Sequence, residues 1–235
     1  MHKVFITGAS SGIGKALAEE YLQRPDHEVV GISRTQSITH NRFDGLTLDL
    51  SDPQAVSEFT FPLSGDEDSV TLINNAGWLG EVKPFQEQDP DSFSKTQQIN
   101  LLSPARLIHT FLCQNSRKTA CKILNISSGA GKYPVSSWSD YCTSKAALDM
   151  LTRVLAEENP ELSIYSVAPG IVDTQMQKEI RKVDPANFPD HRRFVEYHEN
   201  GDLASPKEVA KVLIRILDDP SLAPGVVFSV RDLNL

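Results

Sequence analysis

The sequence predicts a doubly wound α/β fold, a parallel sheet of about seven strands with helices on both faces. Three observations predict it. Short apolar runs alternate with helix-length stretches almost from the first residue, a glycine-rich turn follows the first run, and Asn159-Pro160 and Pro169-Gly170 punctuate later elements.

Taken in order, Val4–Thr7 is the first strand, Gly8–Gly14 a loop and Lys15–Arg24 an amphipathic helix. Glu28–Ser33 is the second strand and Leu46–Leu50 the third. Ser51-Asp52-Pro53 opens a helix, because a capping side chain precedes a proline in the first turn. Val70–Asn74 is the fourth strand. A long helix is expected over Asp91–Ser116, followed by strand Lys122–Ile126 and helix Ser139–Glu158, which stops at Asn159-Pro160. Leu162–Ala168 is a strand, Pro206–Leu217 a helix and Val226–Val230 the last strand. No repeat, low-complexity tract or linker interrupts the series, so 1–235 reads as one domain. Residues 171–205 break the pattern. They carry Pro185, Pro189, Gly201 and mixed charges, and they follow the carboxyl end of a strand, where ligands bind in open α/β sheets. A substrate lid with one or two short helices is expected there.

Composition narrows the function. With 40% hydrophobic and 23% charged residues the chain can build one large core. A net charge of −8 argues against a nucleic-acid or anionic-membrane surface, since both need clustered Lys and Arg. Cys113, Cys121 and Cys142 are odd in number and form no CxxC pair, which fits a reducing compartment better than a disulfide framework. The six His residues lack metal-ligand spacing, so no metal is expected. No apolar run is long enough to span a bilayer, and Val4–Ile6 is too short for a signal peptide. A cytoplasmic location is the expectation.

The loop Thr7-Gly8-Ala9-Ser10-Ser11-Gly12-Ile13-Gly14 follows a strand and opens a helix. Glycine allows a tight turn and close backbone approach to a pyrophosphate, and the helix N-terminus offers free N–H groups. Its spacing is GxxxGxG rather than GxGxxG, so the general dinucleotide fingerprint is met in part. Gly8, Ser10, Ser11, Gly12, Ile13 and Gly14 are its candidate cofactor residues. The second strand ends Ser33-Arg34 without the carboxylate that holds an NAD ribose. Arg34 offers a planar, permanently charged fork suited to a 2′-phosphate, which favours NADP(H) over NAD(H).

Tyr141 and Lys145 stand four residues apart on an expected helix and share one face. An ammonium beside a phenol is expected to lower the Tyr pKa from about 10 and fit it for acid–base transfer. Such a pair alone is often a surface feature. Here it follows a strand ending Asn125-Ile126-Ser127-Ser128 in a dinucleotide-type fold.

Taken together, the motifs resemble the short-chain dehydrogenase/reductase family over essentially the full chain. They are TGASSGIG (Thr7–Gly14), NNAG (Asn74–Gly77), Asn100 in the long helix, Ser128 thirteen positions before Tyr141, YCTSK (Tyr141–Lys145) and PGIVDT (Pro169–Thr174). The resemblance implies a Rossmann fold with a catalytic set of Asn100, Ser128, Tyr141 and Lys145. Tyr141 would donate the proton, Lys145 would also hold the nicotinamide ribose, and Ser128 would bind the substrate carbonyl. Asp49 and Leu50 would lie by the adenine, Asn75, Ala76 and Gly77 would line the cleft, and Pro169, Gly170, Val172 and Thr174 would meet the nicotinamide end. Ser11 departs from NADPH-dependent members, which often carry a basic residue there. Stretches 136–151 and 168–181 resemble bacterial benzil reductases and sepiapterin-reductase-like enzymes. A homodimer or homotetramer built from the long helices is also implied.

Asn100 supports a separate reading. It is a poor helix-interior residue, and Pro104 four positions on cannot donate to its carbonyl. A kink is expected, with the freed carbonyl holding a water that links Lys145 to solvent. On the substrate side, Trp138 and Met176 are the candidate pocket residues among flanking aromatics that include Trp78, Tyr133, Phe188, Phe194 and Tyr197. Such a lining favours an apolar or aromatic ketone or dicarbonyl. Cys142 is turned about 100 degrees from Tyr141 on the helix and reads as packing. The expected activity is NADPH-dependent carbonyl reduction. The alternatives are a cofactor-sensing protein without chemistry and an alcohol dehydrogenase working mainly in the oxidative direction.

Overall fold

The computed structural model describes residues 1–115 and 120–233. Its strands are β1 (His2–Thr7), β2 (His27–Ser33), β3 (Phe43–Thr47), β4 (Ser69–Asn74), β5 (Ala120–Ile126), β6 (Ser163–Ala168) and β7 (Val227–Ser229). They form a parallel sheet in the order β3-β2-β1-β4-β5-β6-β7. The helices are α1 (Gly12–Leu22), α2 (Pro53–Glu58), α3 (Pro90–Gln97), α4 (Ser103–Gln114), α5 (Ser139–Glu158), α6 (Gln175–Ile180), α7 (His191–Glu199) and α8 (Pro206–Asp218).

The two faces of the sheet follow from side-chain alternation along each strand. In β1, Val4 and Ile6 pack with Leu17 and Tyr21 of α1 and Leu213 and Ile216 of α8. Phe5, between them, joins Leu107 and Phe111 of α4 on the other face, with Phe61 edge-on at 4.9 Å. Helices on both faces of a parallel sheet make this the doubly wound Rossmann architecture that the sequence predicted. Asp52 caps α2 through Gln54 and Ala55 amides at 2.9 and 3.1 Å, ahead of Pro53 as expected.

The third strand is a correction. Expected at Leu46–Leu50, it runs Phe43–Thr47 at the sheet edge, where its residues are exposed or half-buried. An edge strand facing water needs no apolar run. Leu48 and Leu50 are buried past its end, in the segment leading to α2, so their hydrophobicity marks burial and not pairing. Smaller shifts occur elsewhere: α1 begins at Gly12 rather than Lys15, and β7 is confined to Val227–Ser229.

The long helix is interrupted where Asn100 and Pro104 predicted. Between α3 and α4 the chain makes a π-helical turn over Gln98–Leu102, and the Ser103 amide bonds back to the Gln98 carbonyl. The wider turn lets the helix pass a proline that cannot donate four residues back. The expected last residue of this helix, Ser116, lies outside the described residues. Two short helices, α6 and α7, occupy the 171–205 segment between β6 and α8, as expected. No helix among the described residues is long and apolar enough to cross a membrane.

Candidate active site

Strand order reverses between β1 and β4, the switch point at which open α/β sheets place a ligand crevice beyond the carboxyl ends of their strands. Thr7, the last residue of β1, accepts the Asn75 and Ala76 amides on its hydroxyl at 3.0 Å each. Asn75 donates its side-chain amide to the Thr7 and Gly8 carbonyls at 3.0 and 3.3 Å. The two loops that line the crevice are therefore fastened to each other. Gly8 adopts φ 69° and Gly12 φ 54°, backbone that favours glycine. A methyl on Gly14 would stand 2.3 Å from the Gly8 carbonyl oxygen and 2.4 Å from Asn75 Nδ2.

Ser11 precedes α1 in an extended conformation and makes no side-chain cap. The first amides of α1 thus face the loop at the positive end of the helix. Gly12 also lies against Thr174, whose Cγ2 would be 3.4 Å from an added methyl, so the Pro169–Thr174 turn borders the same loop. Gly170 has φ 80° and Val172 is buried. Ser10 takes part through its carbonyl, which accepts from Ser37 Oγ at 2.8 Å. A lining free of side-chain bulk and rich in amides fits a dinucleotide pyrophosphate.

Arg34 is exposed just past β2 and acts electrostatically on Asp49. Hydrogen bonds from the Ser51 amide and hydroxyl hold the Asp49 carboxyl below its ordinary range, and the positive charges of Arg34 and Lys95 add to this. Leu50 is buried, and its carbonyl accepts from Ser103 Oγ at 2.7 Å.

Tyr141 and Lys145 lie one turn apart on α5, both almost fully buried. Lys145 Nζ donates to the Ile126 carbonyl at 2.8 Å and stands 5.7 Å from the Tyr141 ring centre. Burial pushes the Tyr141 phenol up to about 12, opposed in part by the Ser128 hydroxyl. The expected lowering of the Tyr141 pKa is therefore corrected. Withdrawal from water favours the neutral phenol, and the ammonium is directed at Ile126. Burial also brings Lys145 down to about 8, with Asp149 pulling the other way. Ser128 caps the following short turn through the Ala130 amide at 3.2 Å.

Asn100 is completely buried within the π turn. Its side chain grips both sides of Trp78, accepting from the amide and donating to the carbonyl at 2.8 Å each. It also donates to Ser144 Oγ at 3.1 Å, and Ser144 in turn donates to the Tyr141 carbonyl at 2.8 Å. A methyl on Gly77 would lie 3.5 Å from Asn100 Oδ1 and 3.6 Å from Lys145 Nζ, so these three residues come together. Sequence reasoning missed Ser144 and the structural grip of Asn100. Position Ser144, three residues after Tyr141 on the same helix, was the available signal.

Trp138 and Met176 pack in one cluster with Tyr141, Leu79, Val82, Ile180 and Phe188. Trp138 stands edge-on to Tyr141 at 5.7 Å and stacks on Phe188 at 5.4 Å. Phe194 and Tyr197 of α7 extend the aromatic series. Two flanking aromatics lie apart from it: Tyr133 is exposed, and Trp78 is covered by Lys95 Nζ at 4.5 Å. Cys142 is half-buried beside the Val135 carbonyl, and burial raises its thiol pKa, which suits packing rather than nucleophilic attack.

The short chain dehydrogenase family profile matches residues 2–185. The chain is 37% identical to a benzil reductase ((S)-benzoin forming) of Bacillus subtilis, covering 99% of both proteins. It is 30% identical to a sepiapterin reductase of Xenopus laevis, covering 94% of this chain and 92% of the relative. A solved short chain dehydrogenase/reductase of Saccharomyces cerevisiae superposes with a TM-score of 0.85 at 29% identity, over 97% of this chain and 96% of that one. The fold, the crevice with its fastened glycine loop and the buried Tyr141–Lys145 pair agree with these likenesses, and the chain belongs to the short-chain dehydrogenase/reductase family of oxidoreductases.

Proposed function

We propose that the chain is an NADPH-dependent carbonyl reductase acting on apolar or aromatic ketones and dicarbonyls, with Tyr141 as proton donor. The observation that carries this reading is the buried Tyr141 phenol one turn from Lys145 and beside the Ser128 hydroxyl, where burial pushes its pKa up to about 12. A group of that pKa keeps its proton at neutral pH, and reduction of a ketone requires a proton for the new alkoxide. Ser128 is suited to orient the carbonyl oxygen. The Lys145 cation favours negative charge developing at that oxygen. Bound NADPH would supply the hydride.

Gly8, Gly12, Ile13, Gly14, Ser10 and Ser11 would hold the pyrophosphate, and Asn75, Ala76, Gly77, Pro169, Gly170, Val172 and Thr174 the walls of the cleft. Arg34 supports the 2′-phosphate form, because β2 ends with no carboxylate to take a 2′-hydroxyl. The π turn supports reading the Asn100 carbonyl as the group that holds a water for proton resupply. Trp138 and Met176, with the aromatic side chains of the 171–205 lid, support a flat apolar substrate. The likeness to a benzil reductase agrees with an aromatic diketone.

The test is NADPH oxidation against aromatic diketones, pteridines, quinones and steroids. Turnover of aromatic diketones is expected. A clear preference for phosphorylated or sugar substrates would overturn the substrate class.

A further inference from the structure

Asp140 immediately precedes Tyr141, is 1% exposed and has no ion-pair partner among the described residues. Burying a carboxyl without a cation is costly, and here burial raises its pKa. What offsets that cost is a set of donors from separate parts of the chain. Oδ1 accepts the Tyr141 amide at 2.8 Å at the positive end of α5. Oδ2 meets Thr96 Oγ of α3 at 2.9 Å, and the Glu81 amide also acts on the carboxyl. The Asp140 carbonyl accepts from Gln97 Nε2 at 2.9 Å. Gly80, at φ 78°, passes so close that an added methyl would be 1.8 Å from Oδ2.

A second fastening lies beside it. Gln88 donates toward the Lys83, Glu81 and Ser137 carbonyls at 3.1, 3.3 and 3.4 Å and accepts from Ser139 Oγ at 2.7 Å. The Lys83 amide bonds the Ser137 carbonyl at 3.2 Å. Ser137 itself has φ 69°, the left-handed conformation that a non-glycine residue keeps only where its surroundings enforce it. Ser137, Ser139 and Asp140, directly before Tyr141, are thus all tied to the 79–89 loop. That loop contributes Leu79 and Val82 to the cluster containing Trp138, Tyr141 and Phe188.

We infer that Asp140 is a positioning residue that latches the 79–89 loop to the first turn of α5, fixing the Leu79–Val82 wall of the substrate pocket against Tyr141. The kinetic consequence rests on the reductase reading above; the structural consequence does not. Asp140→Ala removes both carboxyl oxygens, the acceptors that meet the Tyr141 and Glu81 amides and Thr96, and leaves the backbone carbonyl that Gln97 meets. Asp140→Asn keeps the acceptor for Tyr141 and can still pair with Thr96, so it should restore part of what alanine loses.

Two measurements test this. Amide hydrogen exchange should quicken across 79–89 in Asp140→Ala while α5 stays protected, with Asp140→Asn intermediate. In steady-state kinetics, Asp140→Ala should raise KM for benzil about tenfold with a smaller change in kcat, and change KM for butane-2,3-dione little, since the small diketone touches less of the wall. If Asp140→Ala does not fold, Thr96→Val removes one donor and should shift both readouts in the same direction. Unchanged exchange at 79–89 in a folded variant would overturn the latch. An equal loss on both diketones would overturn its role in positioning the pocket wall. Wild-type protein that reduces neither diketone would instead defeat the reductase reading and leave the exchange result to decide the latch.

Discussion

The Lys145 ammonium rests on the Ile126 carbonyl at 2.8 Å, in a pocket where burial has brought its pKa from 10.5 down to about 8. In the unfolded chain this lysine keeps its proton to the higher value. Between about pH 8 and 10.5 the unfolded state therefore binds more protons than the folded one, and stability rises with pH. Below pH 8 both states are protonated and this contribution is lost. Over the two units from pH 8 to 10 the gain is on the order of 2 kcal/mol. Tyr141 acts in the opposite sense from about pH 10 to 12, since its folded pKa is raised. Urea unfolding at pH 8, 9 and 10 should show the rise, and Lys145→Met should flatten it.

Tyr141→Phe removes the proposed proton donor while keeping the ring that packs on Trp138 at 5.7 Å. A loss of roughly 10²- to 10⁴-fold in kcat is expected, with cofactor affinity nearly unchanged. Under the proposed mechanism Tyr141 stays protonated well past neutrality, so reduction is expected to fall above about pH 8 as Lys145 loses its charge. Undiminished turnover by Tyr141→Phe would show that another group supplies the proton, and absence of turnover in the wild type would favour a protein that senses cofactor without chemistry.

Gly14→Ala tests the fastening of the glycine loop to the Asn75 loop. The new methyl would meet Gly8 O and Asn75 Nδ2 well inside contact distance. Backbone on one side and a doubly bonded amide on the other leave little room to yield. A destabilisation of about 1–3 kcal/mol is expected from overpacking, along with weakened NADPH binding. A melting temperature and a nicotinamide titration equal to those of the wild type would show that the loop can spread.

Met150 and Val154 are exposed apolar residues one turn apart on the outer side of α5. Their spacing makes a short apolar stripe, which supports reading this helix as part of a subunit contact. Sedimentation of the wild type should then show a dimer or tetramer, and Met150→Lys with Val154→Lys should lower the mass toward one chain. An assembly of unchanged size would place the contact elsewhere.

Much of this was legible in the residues, for physical reasons that also explain the exceptions. Glycine at Gly8 and Gly14 announced a turn because conformation and close approach require it, and the YxxxK spacing put two side chains on one helical face. Pro104 forecast an irregular helix because a missing donor cannot be hidden. The third strand was misplaced because an edge strand facing water has no apolar signature, whereas Leu48 and Leu50 carry one without pairing. The sign of the Tyr141 shift was missed because spacing reveals a neighbour but not the depth of burial. Asp140 carries no signal in the sequence because its partners, Gly80, Glu81 and Thr96, come from a distant loop and helix.

Arg34 is the residue on which the proposed preference for NADPH rests. It stands where a carboxylate would hold the ribose 2′-hydroxyl of NADH, and it is exposed and without a salt-bridge partner among the described residues. Charge-assisted hydrogen bonds contribute about 1.5–3 kcal/mol each, so Arg34→Leu should weaken NADPH binding roughly tenfold to a hundredfold. NADH lacks the 2′-phosphate, and its affinity should change little. Asp49 remains nearby, held ionised by Ser51, so part of its negative field would go unopposed in the variant and work further against the phosphate. Fluorescence titration of both cofactors into wild type and Arg34→Leu gives the ratio directly. If NADH and NADPH weaken together, Arg34 serves the shape of the loop; if the wild type prefers NADH, the phosphate reading of Arg34 is wrong.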